Sequence, residues 1–483
     1  MKYTSTRDAS VSVDSATAVT DGISADGGLF VPVELPVLRY RDMLELDFSG
    51  RVDKVLRAFF DFDVSGIAKA ACAKFDDDPA TITKLDDDLF VLELWHGATC
   101  AYGDISFSVL PRLLARAKAA RGMTDKTLAL VAADGDTCKA ALEGFGGADG
   151  TEVCAFYPTG GVSAVQELSL RTHSGDNVRA VGVNASADDV RIAVKKAFAD
   201  VGLRARLAEN NITLSTADSC NIGVLVPLIA NYFSAYCDLV QAGEIEAGDK
   251  IDFVVPTGSF GNALAGMYAR SMGVPINKLV CASNENDVIT EFIQTGMYDA
   301  NRELFATESP SMDILVASNV ERLVFETSGG NAELTAERMT ALETEGRFSV
   351  TQGEAEIIRE AFAGDHADDD DTEEAVCDMF DEYGYLLDPH TATAYAVCMR
   401  RETVRPTVVV STVNPYKFAP AVLRALGEDA ADEATLAVLE QMEDITAMEI
   451  PEQLKRLFTA EVRSDDTAEI DGIAEYISTR YCK

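Results

Sequence analysis

The chain has 483 residues, 80 acidic against 41 basic side chains, and a formal net charge of −39. That length exceeds one small core and predicts about two to four domains. An apolar fraction of 47% excludes disorder along most of the chain, and the charge excludes nucleic acid and anionic membranes as partners.

In chain order, residues 1–90 read as a separate N-terminal domain. SADGGLFVP (24–32) is a glycine turn entering a short strand. LRYRDMLEL and RVDKVLRAFF have the apolar spacing of helices. From residue 91 to about 426 the pattern changes to strand–loop–helix units. TLALVAA (127–133) is an apolar strand, and GDTCKAALEGF opens a helix with Asp136 or Thr137 at its N-cap. VCAFYP (153–158), VRAVGV (178–183), IDFVVP (251–256), LVCAS (279–283) and TVVVS (407–411) are further apolar strands, most of them leading into helices. Buried strands alternating with helices predict an α/β protein with two doubly wound subdomains, the smaller spanning about 120–235. DHADDDDTEE (365–374) reads as a solvated loop or helix entry. Residues 427–483 read as a helical, acidic C-terminal extension.

Ten cysteines show no C-x-x-C pair, and several lie in apolar runs, as Cys154 and Cys281 do. That usage predicts reduced thiols and a cytoplasmic protein. The four histidines are not spaced as metal ligands, so no metal is expected. MKYTSTRDAS has no apolar core of a signal peptide. The most apolar stretch, 223–236, is interrupted by Pro227 and Asn231 and reads as too short and too polar to span a membrane.

The strongest local signal is Pro256-Thr257-Gly258-Ser259-Phe260-Gly261-Asn262, between a strand and a helix. Its glycines permit a tight turn in which several N–H groups converge on an anion at the helix N-terminus. The same glycines also suit an ordinary strand-to-helix turn. Asp134-Gly135-Asp136-Thr137 occupies an equivalent junction and on its own is a capped turn. Asn221 reads as an N-cap or a ring contact, and His96 and His390 as structural histidines. Ser411 and Thr412 end a strand, where open α/β sheets bind ligands.

Together these segments resemble threonine synthase, a fold type II pyridoxal phosphate (PLP) enzyme. The resemblance runs from MKYTSTR and DGGLFVP to about Leu426. It includes YPTGGVSAVQEL, GDNVRAVGV, DFVVPTGSFGN, ASNENDV, SPSMDILVASNVERL, GYLLDPHTATAYAV and STVNPYKF. The family converts O-phospho-L-homoserine and water to threonine and phosphate. The resemblance implies that Thr257, Gly258, Ser259, Phe260, Gly261 and Asn262 hold the PLP phosphate. It sets Thr412 against the pyridine nitrogen, Asn221 near the ring, and Asp134, Asp136 and Thr137 at the substrate.

The departures fall on active-site motifs. Where the family has HGPT-x-AFKD this chain has HGATCAYGD, so Gly103 stands at the position of the PLP lysine. TSGDTG has become Ala133-Asp134-Gly135-Asp136-Thr137-Cys138, a carboxylate replacing a phosphate-binding hydroxyl. SINIGR ends here in Val224 instead of arginine, and TGNFGN is TGSFGN. Glycine can neither bind the cofactor covalently nor move protons. An engineered exchange would explain Gly103 and leave Asp134, Cys138 and Val224 unexplained. Lys139 and Lys417 are the candidate replacement amines. The residues therefore predict an impaired threonine synthase or a pseudoenzyme. Its ligand is an anionic small molecule such as PLP, phosphate or a phosphohomoserine-like compound, or a partner protein.

Overall fold

The computed structural model describes residues 1–482 except 76, 77, 402, 403, 432 and 434. The strands are β1 (Lys2–Ser5), β2 (Val13–Asp14), β3 (Phe30–Pro32), β4 (Thr81–Asp86), β5 (Leu89–Glu93), β6 (Lys126–Ala132), β7 (Thr151–Pro158) and β8 (Val178–Val183). They continue as β9 (Ile212–Thr216), β10 (Ile251–Pro256), β11 (Ile276–Ser283), β12 (Met297–Asp299), β13 (Arg347–Ser349), β14 (Phe362–His366), β15 (Thr407–Ser411) and β16 (Asp466–Ala468). A six-stranded sheet in the order β14-β11-β10-β15-β5-β4 is parallel except at β4. A five-stranded parallel sheet runs β16-β8-β7-β6-β9. The N-terminal segment adds the small antiparallel sheet β2-β1-β3.

Parallel strands covered on both faces are apolar throughout, and β10 and β15 were readable to the residue for that reason. One face of the large sheet packs into a core shared with the N-terminal segment (Tyr3, Val52, Leu56, Phe59). The other face packs under Tyr395, Val422 and Leu439. Helix α1 (Asp104–Arg121) leads into β6, and α2 (Gly135–Phe145) follows it. Helix α3 (Ile222–Ala242) precedes β10, and α4 (Gly261–Met272) follows that strand.

Several sequence expectations need correction. LRYRDMLEL forms only a 3-10 turn at Tyr40–Asp42, because Asp47 caps the next helix (Phe48–Phe59) through the N–H of Gly50. The expected division at residue 90 falls inside β5, which its pairing with β15 carries into the large sheet. The C-terminal tail has helices at Leu436–Thr446 and Ile473–Tyr481, but β16 also extends the small sheet beside β8. The acidic run 365–374 is a helix entry, as expected, with Asp368 capping a helix at Asp369–Tyr383, although its first two residues end β14. Helix α3, with 21 residues, is longer than the apolar stretch suggested. By length and composition it could cross a membrane, yet 94% of its most apolar window is buried in this core. It packs against α1, α4 and the helix Phe48–Phe59.

Candidate cofactor and substrate site

The C-terminal ends of β6, β10 and β15 open on one cleft between the two sheets, where parallel α/β sheets place ligands. After β10 the chain turns through Thr257–Phe260 into α4. The Thr257 N–H donates to Ala282 O (2.9 Å) and its hydroxyl to Val255 O (2.7 Å), so this side chain is spent on the backbone. Gly258 has no room for a side chain, since a Cβ there would lie 2.6 Å from Ser311 O. The Ser259 carbonyl accepts from Asn319 N (3.2 Å). Phe260 is left-handed (φ +65°), a strained state for a non-glycine residue, and its buried ring against Phe362 (5.2 Å between centroids) holds it there.

A left-handed residue followed by a helical one turns successive N–H groups toward one point, an anion-binding concavity. No side chain caps α4. Asn262 accepts from the Tyr232 hydroxyl at Oδ1 (3.1 Å), while its Nδ2 has no partner among the described residues although Asn262 is only 7% exposed. Ser311 Oγ, also in the wall, has none either. An uncapped helix N-terminus beside two orphaned polar groups fits a phosphate.

The second helix N-terminus in the cleft differs. Asp134 caps α2, correcting the expectation of Asp136 or Thr137. Its Oδ1 accepts from the N–H groups of Asp136 (2.9 Å) and Thr137 (3.0 Å), and its Oδ2 from the Thr137 hydroxyl (2.9 Å). The first-turn donors that could hold a ligand's phosphate already hold this carboxylate. Burial, followed by the charge of Asp136, pushes the Asp134 carboxyl above its usual range. Burial, followed by the charges of Asp134 and Asp136, pushes the Tyr102 hydroxyl above its usual pKa.

Gly103 lines the cleft at the start of α1 with ordinary helical angles (φ −67°, ψ −18°). A Cβ there would meet Ala140 Cβ at 3.4 Å and the Phe107 ring at 3.5 Å, which are normal contacts. Neither candidate amine reaches the cleft wall. Lys417, 1% exposed, pairs with Asp136 and donates to Thr99 O (2.9 Å). Lys139 lies 3.4 Å from Glu143 and is pushed below the usual lysine pKa by burial. Beneath Gly103, Asp104 accepts from the Thr99 N–H (2.9 Å) and hydroxyl (2.6 Å), and burial raises its pKa to about 6.

Val224 and Thr412 line the cleft, and the Thr412 carbonyl accepts from Tyr102 N (2.8 Å). Asn221 does not. It caps α3, with Oδ1 accepting from Gly223 N (2.9 Å) and Nδ2 donating to Val19 O and Thr216 O (both 3.0 Å), which leaves nothing for a ring. His96 is structural, bound to Glu93 (2.8 Å). His390, held by Asp388 (2.9 Å), accepts from Ser311 N (3.2 Å) and joins the wall. Sequence reasoning missed two charged wall residues. Arg191 is tied to Asp188 (2.6 Å), and Asp218 accepts from Cys220 N (2.8 Å). Arg191 lies inside a helix, where no local signal marks it, and Asp218 lies two residues past the end of β9, a strand end that the sequence reading did not single out.

The threonine synthase N-terminus model matches residues 2–70. Threonine synthase from Pseudomonas aeruginosa is 33% identical over 95% of this chain and 97% of its own length. Human threonine synthase-like 1 is 35% identical over 85% of this chain, which spans 57% of that relative's length. The crystal structure of PLP-bound threonine synthase from Brucella melitensis superposes with a TM-score of 0.85 at 29% identity, covering 100% of both chains. The yeast threonine synthase structure gives a TM-score of 0.83 at 28% identity, covering 99% of this chain and 97% of its own. With the fold type II architecture and the cleft in the place its strand ends dictate, the chain belongs to the threonine synthase family.

Proposed function

We propose that this chain is a threonine synthase-like protein that binds a phosphorylated ligand of the PLP type non-covalently and is impaired in turning O-phospho-L-homoserine into threonine. The observation that carries this reading is the cleft wall around Gly103, which contains no lysine among the described residues. The phosphate end of PLP fits the turn at Gly258–Asn262. The aldehyde end meets no lysine amine among the described residues of the wall, so the covalent chemistry of the cofactor has no partner there. The substrate's phosphate is disfavoured as well. Asp134 fills the α2 N-terminus, and Val224 offers no donor. Like charges about 4 Å apart cost about 1 kcal/mol in water and about 4 kcal/mol in a partly desolvated cleft.

A protein that binds without turnover is favoured over one rescued by another amine, because Lys417 and Lys139 are both buried in ion pairs. Its cysteines, none of them paired, suit a cytoplasmic site of action. The test is borohydride reduction with PLP followed by peptide mapping, together with thermal stabilisation by inorganic phosphate. Phosphate is expected to raise Tm, and no pyridoxyl-lysine is expected from the cleft. A pyridoxyl group on Lys139 or Lys417 would overturn the loss of covalent chemistry. Absence of stabilisation by phosphate or PLP would reduce the turn to a turn.

A further inference from the structure

The segment 311–319 is pinned to the phosphate turn at both ends. At its start, Ser311 O lies 2.6 Å from where a Cβ on Gly258 would stand. At its end, Asn319 N donates to Ser259 O (3.2 Å), and Asn319 Nδ2 to Ser219 Oγ (2.7 Å) in the cleft wall. Its middle is held from the opposite side of the cleft. Asp188 Oδ2 accepts from Leu315 N (2.7 Å) and Val316 N (3.3 Å), and Arg191 Nη1 donates to Val316 O (3.2 Å). Asp188 and Arg191 belong to the helix Ala187–Ala199, which packs on β6 and β7 of the small sheet. Val316 and Asn319 are three residues apart, so their Cα atoms lie within about 11 Å of each other. Arg191 is thereby tied to the same short segment that frames the turn.

Arg191 is the only lysine or arginine among the described residues of the cleft wall. Its Nη1 is spent, on Asp188 Oδ1 (2.6 Å) and Val316 O. Its Nε and Nη2 have no partner among the described residues, and the side chain is 20% exposed. Those two atoms form one edge of the planar guanidinium, the fork that a carboxylate takes with two parallel bonds. The aspartates of the wall are engaged elsewhere. Asp134 caps α2, Asp136 pairs with Lys417, and Asp218 accepts from Cys220 N, while the Cys220 carbonyl holds the buried Arg322. We propose that the ligand of this cleft carries a carboxylate besides its phosphate. The phosphate lies at Gly258–Asn262, and the carboxylate takes the Nε–Nη2 edge of Arg191. The ligand class is a phosphorylated carboxylic acid, either a phosphopyridoxyl derivative of an amino acid or a small phosphorylated acid. Asp188 already holds the fork, so little side-chain freedom is lost when the carboxylate arrives. A chain of charge −39 needs such a fixed donor pair to hold a second anionic group. This inference rests on the phosphate site proposed above.

Two matched pairs of probes differ by the carboxylate alone. One is N-(5′-phosphopyridoxyl)-L-alanine against N-(5′-phosphopyridoxyl)ethylamine, and the other is O-phospho-L-serine against O-phosphoethanolamine. Affinities are measured by calorimetry at matched ionic strength. In at least one pair the acid is expected to bind about tenfold or more tighter, the gain of a bidentate charge-assisted contact. A preference in the first pair alone identifies a pyridoxyl amino acid, in the second alone a small phosphorylated acid, and in both it shows that the two charged groups suffice. Arg191→Gln should bring the acid down to its carboxylate-free partner, while inorganic phosphate still raises Tm. If phosphate no longer stabilises that variant, Arg191→Lys decides in its place. It keeps a cation for Asp188 but lacks the fork, so the preference should fall severalfold. Equal binding within both pairs, or a preference unchanged by the deciding substitution, overturns the carboxylate site and leaves the phosphate site standing. Failure of inorganic phosphate and all four probes to bind overturns both.

Discussion

Gly103 and Gly258 show how differently two glycines in one cleft can be constrained. At Gly258 the backbone of Ser311 excludes any side chain, whereas at Gly103 the angles are helical and the nearest atoms stand at ordinary contact distance. Nothing in the fold requires glycine at 103. Gly103→Lys should therefore fold with stability within about 1 kcal/mol of the parent, since a helical glycine is itself mildly unfavourable. With PLP the variant should show a visible absorption band that borohydride fixes as a pyridoxyl group on residue 103. It should still release little phosphate from phosphohomoserine, because Asp134 repels the substrate and Val224 does not grip it. Adding Asp134→Ser and Val224→Arg should raise activity more than additively, as residues acting on one substrate do. Full activity from Gly103→Lys alone would show an otherwise ordinary threonine synthase with one residue lost.

At the scale of the element, the two helix N-termini in the cleft carry opposite instructions. Helix α4 leaves its first-turn N–H groups uncapped behind a glycine turn, and α2 closes its own with Asp134. Gly258→Ala tests the first. Its Cβ would press on Ser311 O, displacing the turn at a cost of about 1–3 kcal/mol, and phosphate should no longer raise Tm. Gly103→Ala is the folding control, and its stability should change by less than about 1 kcal/mol. A Gly258→Ala protein that phosphate stabilises as before would place the anion elsewhere. The turn was legible in the sequence because its glycines interrupt an apolar strand and a helix. The strands β10 and β15 were legible because burial on both faces makes them continuous apolar runs. The cap at Asp134 was not. Asp134, Asp136 and Thr137 all have capping side chains, and only the backbone conformation decides which one bonds back. LRYRDMLEL failed for a related reason. Helical apolar spacing is also satisfied by one 3-10 turn that buries Tyr40 and Met43. Arg191 and Asp218 reach the cleft, and β16 its place beside β8, only through long-range packing.

For the whole molecule the dominant quantity is the charge of −39. A chain of this length has a radius of gyration of about 23 Å. The Debye length is about 30 Å at 0.01 M salt and about 3 Å at 1 M. At low salt every carboxylate therefore repels others out to about half the width of the protein, and at high salt it feels only its immediate neighbours. Favourable pairs are screened too, but several are shielded by burial. Arg7–Glu321, Arg338–Glu354 and Lys417–Asp136 all have side chains no more than 12% exposed. Exposed pairs such as Arg463–Asp176 contribute about 0–1 kcal/mol each, so their loss is small. Screening should then remove more repulsion than attraction. The unfolded chain carries the same charges spread over a larger volume, so the compact state gains more. Calorimetric Tm is expected to rise by several degrees between 0.01 M and 1 M KCl, with most of the gain below about 0.3 M, where the Debye length falls fastest. A Tm that stays flat or falls across this range would mean that local ion pairs, and not the net field, set the electrostatic contribution to stability.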